Sequence, residues 1–184
     1  AVFKLGVQHL SAYCLTIEPK TALNHLVRQK KLQPADEVLQ SEQFLWLVQK
    51  ARTHGFEQYE ISNFGLAGFH SRHNSSYWKF QPYLGIGPSA HSFDGKVRRW
   101  NVRNNTLYTN QVGKNDKWFE TEHLSANERR NEQILLGLRT IWGLDLSTLA
   151  TDWTPKESAQ ITEFARLNWL TISNEKIVLT KQGK

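Results

Sequence analysis

Residues 59–93 read YEISNFGLAGFHSRHNSSYWKFQPYLGIGPSAHSF, and the interpretation of the whole chain depends on them. Eight of these residues are aromatic and four are glycine, while only Glu60, Arg72 and Lys79 carry full charge. A solvated connector is polar and simple in composition, whereas this stretch is aromatic and rich in amide side chains. The composition therefore predicts a buried or half-buried loop system that lines a pocket for a flat, apolar ligand.

The residues before this stretch predict a strand, two helices and a second strand. Residues 7–17, VQHLSAYCLTI, form a near-continuous apolar run, which is typical of a strand buried on both faces of a parallel sheet. Helices are predicted at 21–30 and 35–53, and Gly55 is expected to stop the second one. A strand follows from Phe56 to Ser62. Strands and helices in this order indicate a βαβ unit of a parallel α/β sheet or barrel.

After the aromatic stretch, residues 96–103 read KVRRWNVR and predict another strand. One interpretation is a solvated edge strand, because charged side chains commonly protect sheet edges. The alternative is that Arg98 and Arg99 form a clamp for a carboxylate or phosphate at the rim of the pocket.

The C-terminal residues predict a small helical module that ends in a β-hairpin. Ser125 and Glu128 have the spacing of a capping box and begin a helix that runs to about Arg139. Pro155 begins another helix, and residues 170–172 and 177–180 predict two short strands. Helices followed by a hairpin indicate a winged-helix-like module at 122–184.

Composition and charge exclude several classes of protein. The 184 residues carry a net charge of +6, which is too modest to imply a nucleic-acid partner by itself. A single cysteine excludes a disulfide framework and any cysteine-based metal site built from this chain alone. The sequence contains neither a transmembrane run nor a targeting peptide. Methionine is absent even at position 1, and we interpret the chain as a fragment of a longer protein.

Within the aromatic stretch, His73 is the candidate ligand for a metal. It lies in His73-Asn74-x-x-Tyr77-Trp78, where an imidazole stands beside two large rings. His70 and His73 have the spacing of a metal pair, but no nearby carboxylate or cysteine completes a structural zinc set. An axial haem ligand flanked by aromatic faces fits the composition better. The alternative is a loop histidine bonded to backbone, with Tyr77 and Trp78 as ordinary core residues.

These motifs resemble the oxygen-independent coproporphyrinogen III oxidase-like radical SAM proteins, and in particular their HemW-type haem-chaperone branch. The resemblance covers nearly the whole chain, and HNxxYW is specific to the chaperone branch. It is carried by HLSAYCLTIEP at 9–19, YEISNF at 59–64, SRHNSSYW at 71–78, YLGIG at 83–87, SAHSF at 89–93, NEQILLGLRT at 131–140 and GL at 143–144.

The resemblance implies ligands and the residues that contact them. In that branch HNxxYW is associated with haem binding, which falls here on His73, Asn74, Tyr77 and Trp78. The family's S-adenosylmethionine contacts fall on Thr16 and His91. The family's 4Fe-4S cluster is held by three cysteines in CxxxCxxC, whereas Cys14 is alone in this sequence. The cofactors expected of the full-length protein are therefore S-adenosylmethionine and a 4Fe-4S cluster, but this chain holds no cluster ligands and no predicted catalytic residue.

The resemblance also implies a fold and a division into domains. Residues 1–118 should form the C-terminal end of a partial β/α radical SAM barrel with the aromatic HNxxYW loop. Residues 119–184 should form a small α+β, winged-helix-like helical domain.

The function implied is that of a haem chaperone, which binds haem and delivers it to acceptor haemoproteins in the cytoplasm. One alternative is oxidative decarboxylation of coproporphyrinogen III by the full-length protein, since both substrates are tetrapyrroles with anionic arms. The other is a winged-helix interaction module unrelated to haem. The helix predicted at 155–168 is charge-balanced, which disfavours nucleic acid as a partner.

Overall fold

The computed structural model describes residues 2–114, 117–149 and 152–183, which fold into two compact units, Ala1–Ser71 and Arg72–Lys184. The fold is mixed α/β, as predicted, and it contains three small antiparallel sheets in the described residues. The predicted boundary at residues 118 and 119 is a different division of the chain and stays a prediction. In chain order the elements are β1 His9–Ser11, α1 Ala22–Arg28, α2 Glu37–Thr53, β2 Glu57–Gln58, β3 Asn63–Gly65, α3 Arg72–Trp78, β4 His91–Phe93, β5 Val97–Asn101, α4 Asn105–Gln111, β6 Phe119–His123, α5 Ala126–Gly137, β7 Leu144–Asp145, α6 Pro155–Arg166, β8 Leu170–Ser173 and β9 Lys176–Leu179.

Helix α2 contributes one side of the core of the first unit. The helix begins at Asp36, whose carboxylate accepts a hydrogen bond from the Leu39 backbone N–H at 3.0 Å. It ends at His54, and Gly55 follows with a φ of 80°, which confirms the predicted stop. Its inner face packs on the sheet to form a core centred on Ala51, Phe56 and Phe64.

The two strands of the βαβ unit predicted for residues 7–62 run parallel to each other, but they are not neighbours in a parallel sheet, so that part of the prediction is wrong. Strand β3 lies between β1 and β2 and runs antiparallel to both, so β1 and β2 do not pair directly. The reason is a tight turn at residues 59–62, which reverses the chain inside what the composition predicts as one strand. The first strand is also much shorter than predicted, and Tyr13 and Leu15 beyond it are 74% and 62% exposed.

In the second unit, β5 is the central strand of the sheet β4-β5-β6. The prediction of an edge strand at 96–103 is therefore wrong. Its second neighbour is β6, whose sequence FETEH is charged and mostly exposed. A strand of that composition carries little apolar signal, and for this reason the pairing could not be expected from the sequence.

The C-terminal part of the second unit confirms the predicted helices and hairpin. Ser125 and Glu128 form the expected capping box at the start of α5, and Thr154 forms a second box with Glu157 at the start of α6. Strands β8 and β9 form the hairpin, and β7 adds a third strand that was not predicted. The core between these helices and the sheet centres on Leu144, Leu170 and Ile177.

The capping box of α6 also makes the stability of this part dependent on pH. The pKa of Glu157 is lowered to about 2 because Arg130 donates a hydrogen bond to its carboxylate, with further hydrogen bonds from the backbone and side chain of Thr154. A depressed pKa stabilises the fold above the ordinary value of 4.5 and loses that contribution as the pH falls toward 2. We expect Glu157→Gln to lower the melting temperature at pH 7, and the difference from wild type to shrink below pH 4.5.

Thermal unfolding followed by circular dichroism between pH 7 and pH 3 measures this difference. Glu18→Gln removes an exposed carboxylate outside the box and serves as the control. A wild-type minus Glu157→Gln difference that stays constant across this range would contradict the prediction.

No helix in residues 2–114, 117–149 or 152–183 combines the length and the apolar character that crossing a bilayer requires.

Candidate functional site

The HNxxYW motif lies on a helix rather than in the loop predicted from composition. Residues 72–78 contain neither glycine nor proline, and they form the two turns of α3. Side chains four residues apart share a helix face, so His73 and Tyr77 lie on one face and Asn74 and Trp78 on another. The helix thus divides the motif into two pairs.

The His73 face of α3 is open to solvent. His73 is exposed, and its ring meets the edge of the Tyr77 ring at a centroid distance of 5.0 Å and an interplanar angle of 87°. Tyr77 is itself 39% exposed. An imidazole in this position can bind a metal that approaches from outside the fold.

Tyr77 also joins His73 to a cluster of aromatic rings, which we call the aromatic cavity. Tyr83 lies 4.7 Å from Tyr77, and Phe93 lies 6.1 Å from Tyr83 and 4.7 Å from Phe80. The cavity has a volume of about 290 Å³ and is lined mainly by these four rings and by leucines of α5. Such a surface favours a flat, apolar ligand.

The two arginines of β5 are already occupied by contacts within the fold. Arg98 lies 2.7 Å from Glu132 and 3.4 Å from Glu122, and the hydrogen bond to Glu132 raises the pKa of the guanidinium. The Arg99 guanidinium lies 4.8 Å from the Trp118 ring and 4.7 Å from the Phe119 ring. These contacts favour structural roles over the carboxylate clamp considered from the sequence.

Trp78, of the other pair of the motif, faces a second space, which we call the tryptophan cavity. Trp78 lines this cavity together with Trp142, and its volume is about 440 Å³. Lys79 and Lys176 also line it, and the Lys79 Nζ lies 4.4 Å from the centre of the Trp142 ring. Sequence reasoning missed Trp142 and Lys176 because they are distant from the motif in sequence and carry no motif of their own.

The residues expected to contact S-adenosylmethionine lie in different compact units. Thr16 is an exposed residue after β1 in the first unit. His91 is exposed in β4 of the second unit, where its ring lies 6.3 Å from that of Trp100. Contact of both residues with S-adenosylmethionine stays a prediction. Cys14 is a free, exposed cysteine.

His70 belongs to a group of contacts around Tyr59 within the first unit. The buried Tyr59 hydroxyl lies 2.8 Å from His9 Nε2 and accepts a bond from the Ser71 backbone N–H at 3.3 Å. His70 stacks on the Tyr59 ring at 4.4 Å and lies 3.3 Å from the Glu57 carboxylate. The described residues contain no group of three side chains suited to a metal ion.

A buried carboxylate beside this group was also missed from the sequence. Glu60 is 3% exposed, and it accepts hydrogen bonds from the Ser62 backbone N–H at 2.9 Å and from the Asn63 side chain. Asn63 in turn accepts a bond from Ser11 at 2.5 Å. This hydrogen-bonded network holds the turn between β2 and β3. Its only signal in the sequence is the pair of polar residues Glu60 and Asn63, three positions apart inside an aromatic stretch.

Comparison with known proteins identifies relatives along the whole chain. The family model described as HemN C-terminal domain matches residues 124–184. The chain is 30% identical to the haem chaperone HemW of Bacillus subtilis, covering 98% of this chain and 49% of that protein. It is 31% identical to the haem chaperone HemW of Mycobacterium tuberculosis, covering 100% of this chain and 46% of that protein. The chain therefore spans about half the length of the curated relatives it matches.

One solved structure shares the fold. It is the coproporphyrinogen III oxidase HemN from Escherichia coli, described as a radical SAM enzyme, with a TM-score of 0.69 and 15% sequence identity. The match covers 98% of this chain and 46% of that chain. At this identity the likeness concerns the fold alone.

Proposed function

The chain belongs to the HemW-type branch of the coproporphyrinogen III oxidase-like radical SAM family and corresponds to its C-terminal part, and from this premise we propose that the complete protein binds haem and delivers it to acceptor haemoproteins. Relatives named haem chaperones over the whole length of the chain support this function. Haem is the cargo of the protein in this proposal.

One observation carries the proposal at the level of residues: His73 is exposed beside the aromatic cavity. Histidine is a common axial ligand of haem iron, and the ligand nitrogen must be reachable from solvent. The neighbouring Tyr77 ring stands nearly perpendicular to the imidazole at 5.0 Å, and it leads into the four rings of the cavity. His73 would ligate the iron, and Tyr77 would pack against the macrocycle.

Asn74 and Trp78 have a different part in the proposal, because they lie on the other face of α3. Trp78 is half-buried and lines the tryptophan cavity within the second unit. Asn74 would orient the helix through its side-chain amide. These two residues would support the His73 face instead of touching the same side of the macrocycle.

The radical SAM cofactors belong to the complete protein in this proposal. Cys14 is the single cysteine of the sequence and cannot supply a three-cysteine cluster site. Thr16 and His91 are the candidate contacts for S-adenosylmethionine, and both are exposed. A cytoplasmic location, expected from the resemblance, is part of the same proposal.

The proposal is tested by loading the complete protein with haem and mixing it with an apo-haemoprotein. We expect a Soret absorbance band when haem binds and the spectrum of the acceptor after mixing. Retention of haem by the loaded protein, in the presence of a competent acceptor, would contradict delivery. Formation of protoporphyrinogen from coproporphyrinogen III would instead support the oxidase alternative.

The winged-helix alternative has little electrostatic support. Helix α6, which would enter a groove of DNA, carries the pair Arg166–Glu163 at 2.7 Å, and Glu157 is paired with Arg130 at the same distance. Binding to duplex DNA requires unneutralised cations on that face. Steep salt-dependent binding to DNA would be the result in favour of this alternative.

A further inference from the structure

The tryptophan cavity has the features of a second ligand site in the same unit. Its volume of about 440 Å³ is in the range of small-molecule pockets, which run from about 300 to 1,000 Å³. Trp78 and Trp142 provide two indole surfaces, and Lys79 and Lys176 provide two cations. Aromatic faces bind flat rings, and ammonium groups bind carboxylates.

The charges of the cavity are not balanced within the described part of the chain. Asp145 is its one lining carboxylate, and its pKa is lowered by the hydrogen bond from the Ser147 hydroxyl at 2.6 Å, by the one from the Ser147 backbone at 3.1 Å and by the charge of Lys176, its partner across β7 and β9. Neither Lys79 nor Lys176 forms an ion pair among the described residues. Lys79 instead lies over the Trp142 ring at 4.4 Å. The cavity therefore presents two lysines against one carboxylate, an excess of one positive charge toward an anionic ligand.

The walls of the cavity are held by close packing. A Cβ atom on Gly137 of α5 would lie 2.7 Å from the Leu144 Cα of β7, so only glycine allows this approach of helix and strand. Thr140, which is 2% exposed, donates a hydrogen bond to the Gly137 carbonyl at 3.1 Å. The wall of the cavity formed by α5 and β7 is thus preorganised by close packing.

We propose that the tryptophan cavity binds the propionate-bearing edge of a tetrapyrrole without using its iron, and this inference rests on the proposed function. His73 and Trp78 are five residues apart on α3, which separates them by about 140° around the axis and about 7.5 Å along it. One face of the helix would therefore present the iron ligand, and the other would present the ring and carboxylate contacts. The two positions share Phe80, which lines both cavities.

Iron-free protoporphyrin IX distinguishes binding in the tryptophan cavity from binding through His73, because it carries the propionates but has no iron for His73 to ligate. Its fluorescence is titrated with the complete protein to obtain a Kd. We expect Lys79→Gln and Lys176→Gln each to raise this Kd about tenfold, since each removes a charge-assisted contact to a carboxylate. Lys156→Gln, at an exposed lysine of α6 outside the cavity, should leave the Kd unchanged.

Protoporphyrin dimethyl ester tests carboxylate recognition on the wild-type protein and needs no variant. We expect it to bind about tenfold or more weakly than the free acid. Equal binding of ester and acid, or an unchanged Kd in the Lys79→Gln and Lys176→Gln variants, overturns the inference.

His73→Ala distinguishes this inference from the proposed function. The variant should bind protoporphyrin as the wild type does, and loss of that binding would overturn the second position. An unchanged haem spectrum in His73→Ala would count against the proposed haem ligand while leaving the protoporphyrin result intact.

Discussion

Replacing His73 with alanine should remove the wild-type Soret spectrum of the haem-bound protein and weaken haem binding by at least about tenfold. Removing a residue that merely orients a metal ligand typically costs about 10- to 100-fold in affinity, so loss of the ligand itself should cost at least as much. The side chain is exposed and its described ring contact is with Tyr77, so the substitution should leave the fold intact.

The measurement is an absorbance titration of the complete protein with haem, together with the melting temperature of each variant. His123→Ala is the matched control, because His123 is an exposed histidine in strand β6 of the same unit. Tyr77→Leu should reduce affinity without changing the axial ligand, so its Soret position should stay that of the wild type. A His73→Ala protein whose Kd and spectrum equal those of the wild type would exclude His73 as the ligand.

Much of the C-terminal module could be predicted because its signals are local. The Ser125 capping box, the proline at the start of α6 and the turn between β8 and β9 each depend on a few adjacent residues. Pairing of strands depends on distant residues, and there the predictions were wrong. The strand predicted from Phe56 to Ser62 is cut short by the turn at residues 59–62, and β5 gains a neighbour whose sequence shows no apolar alternation.

The candidate site was predictable as a motif but not as a surface. The residue types of HNxxYW suggest an iron ligand among rings, whereas a loop and a helix direct these side chains differently. Only the helical geometry of α3 shows that His73 and Trp78 lie on different faces, with Trp78 lining the tryptophan cavity and His73 exposed beside Tyr77. The Lys79–Trp142 contact could not be predicted, because it depends on how α3 and the segment after α5 pack in the second unit.

A large loss of stability is expected for Gly143→Ala. Gly143 has a φ of 73°, where a residue with a Cβ atom is strained by about 1–2 kcal/mol. A Cβ atom would also lie 2.5 Å from the Ile177 carbonyl oxygen and 2.6 Å from the Val178 side chain. Relieving these contacts would push β9 away from β7 and open the core at Leu144 and Ile177. We expect the free energy of unfolding to fall by about 3 kcal/mol.

Gly113→Ala separates the collision from the backbone strain. Gly113 has a φ of 76°, close to that of Gly143, and no atom of the residues that the structure describes lies within 4 Å of a Cβ atom built on it. This control should therefore lose only the strain of about 1–2 kcal/mol. Urea unfolding of both variants measures the difference. Equal losses of unfolding free energy would mean that β9 moves away from the new methyl group at no energetic cost. The wall of the tryptophan cavity, which Gly143 also lines, would then be more deformable than the close packing at this position indicates.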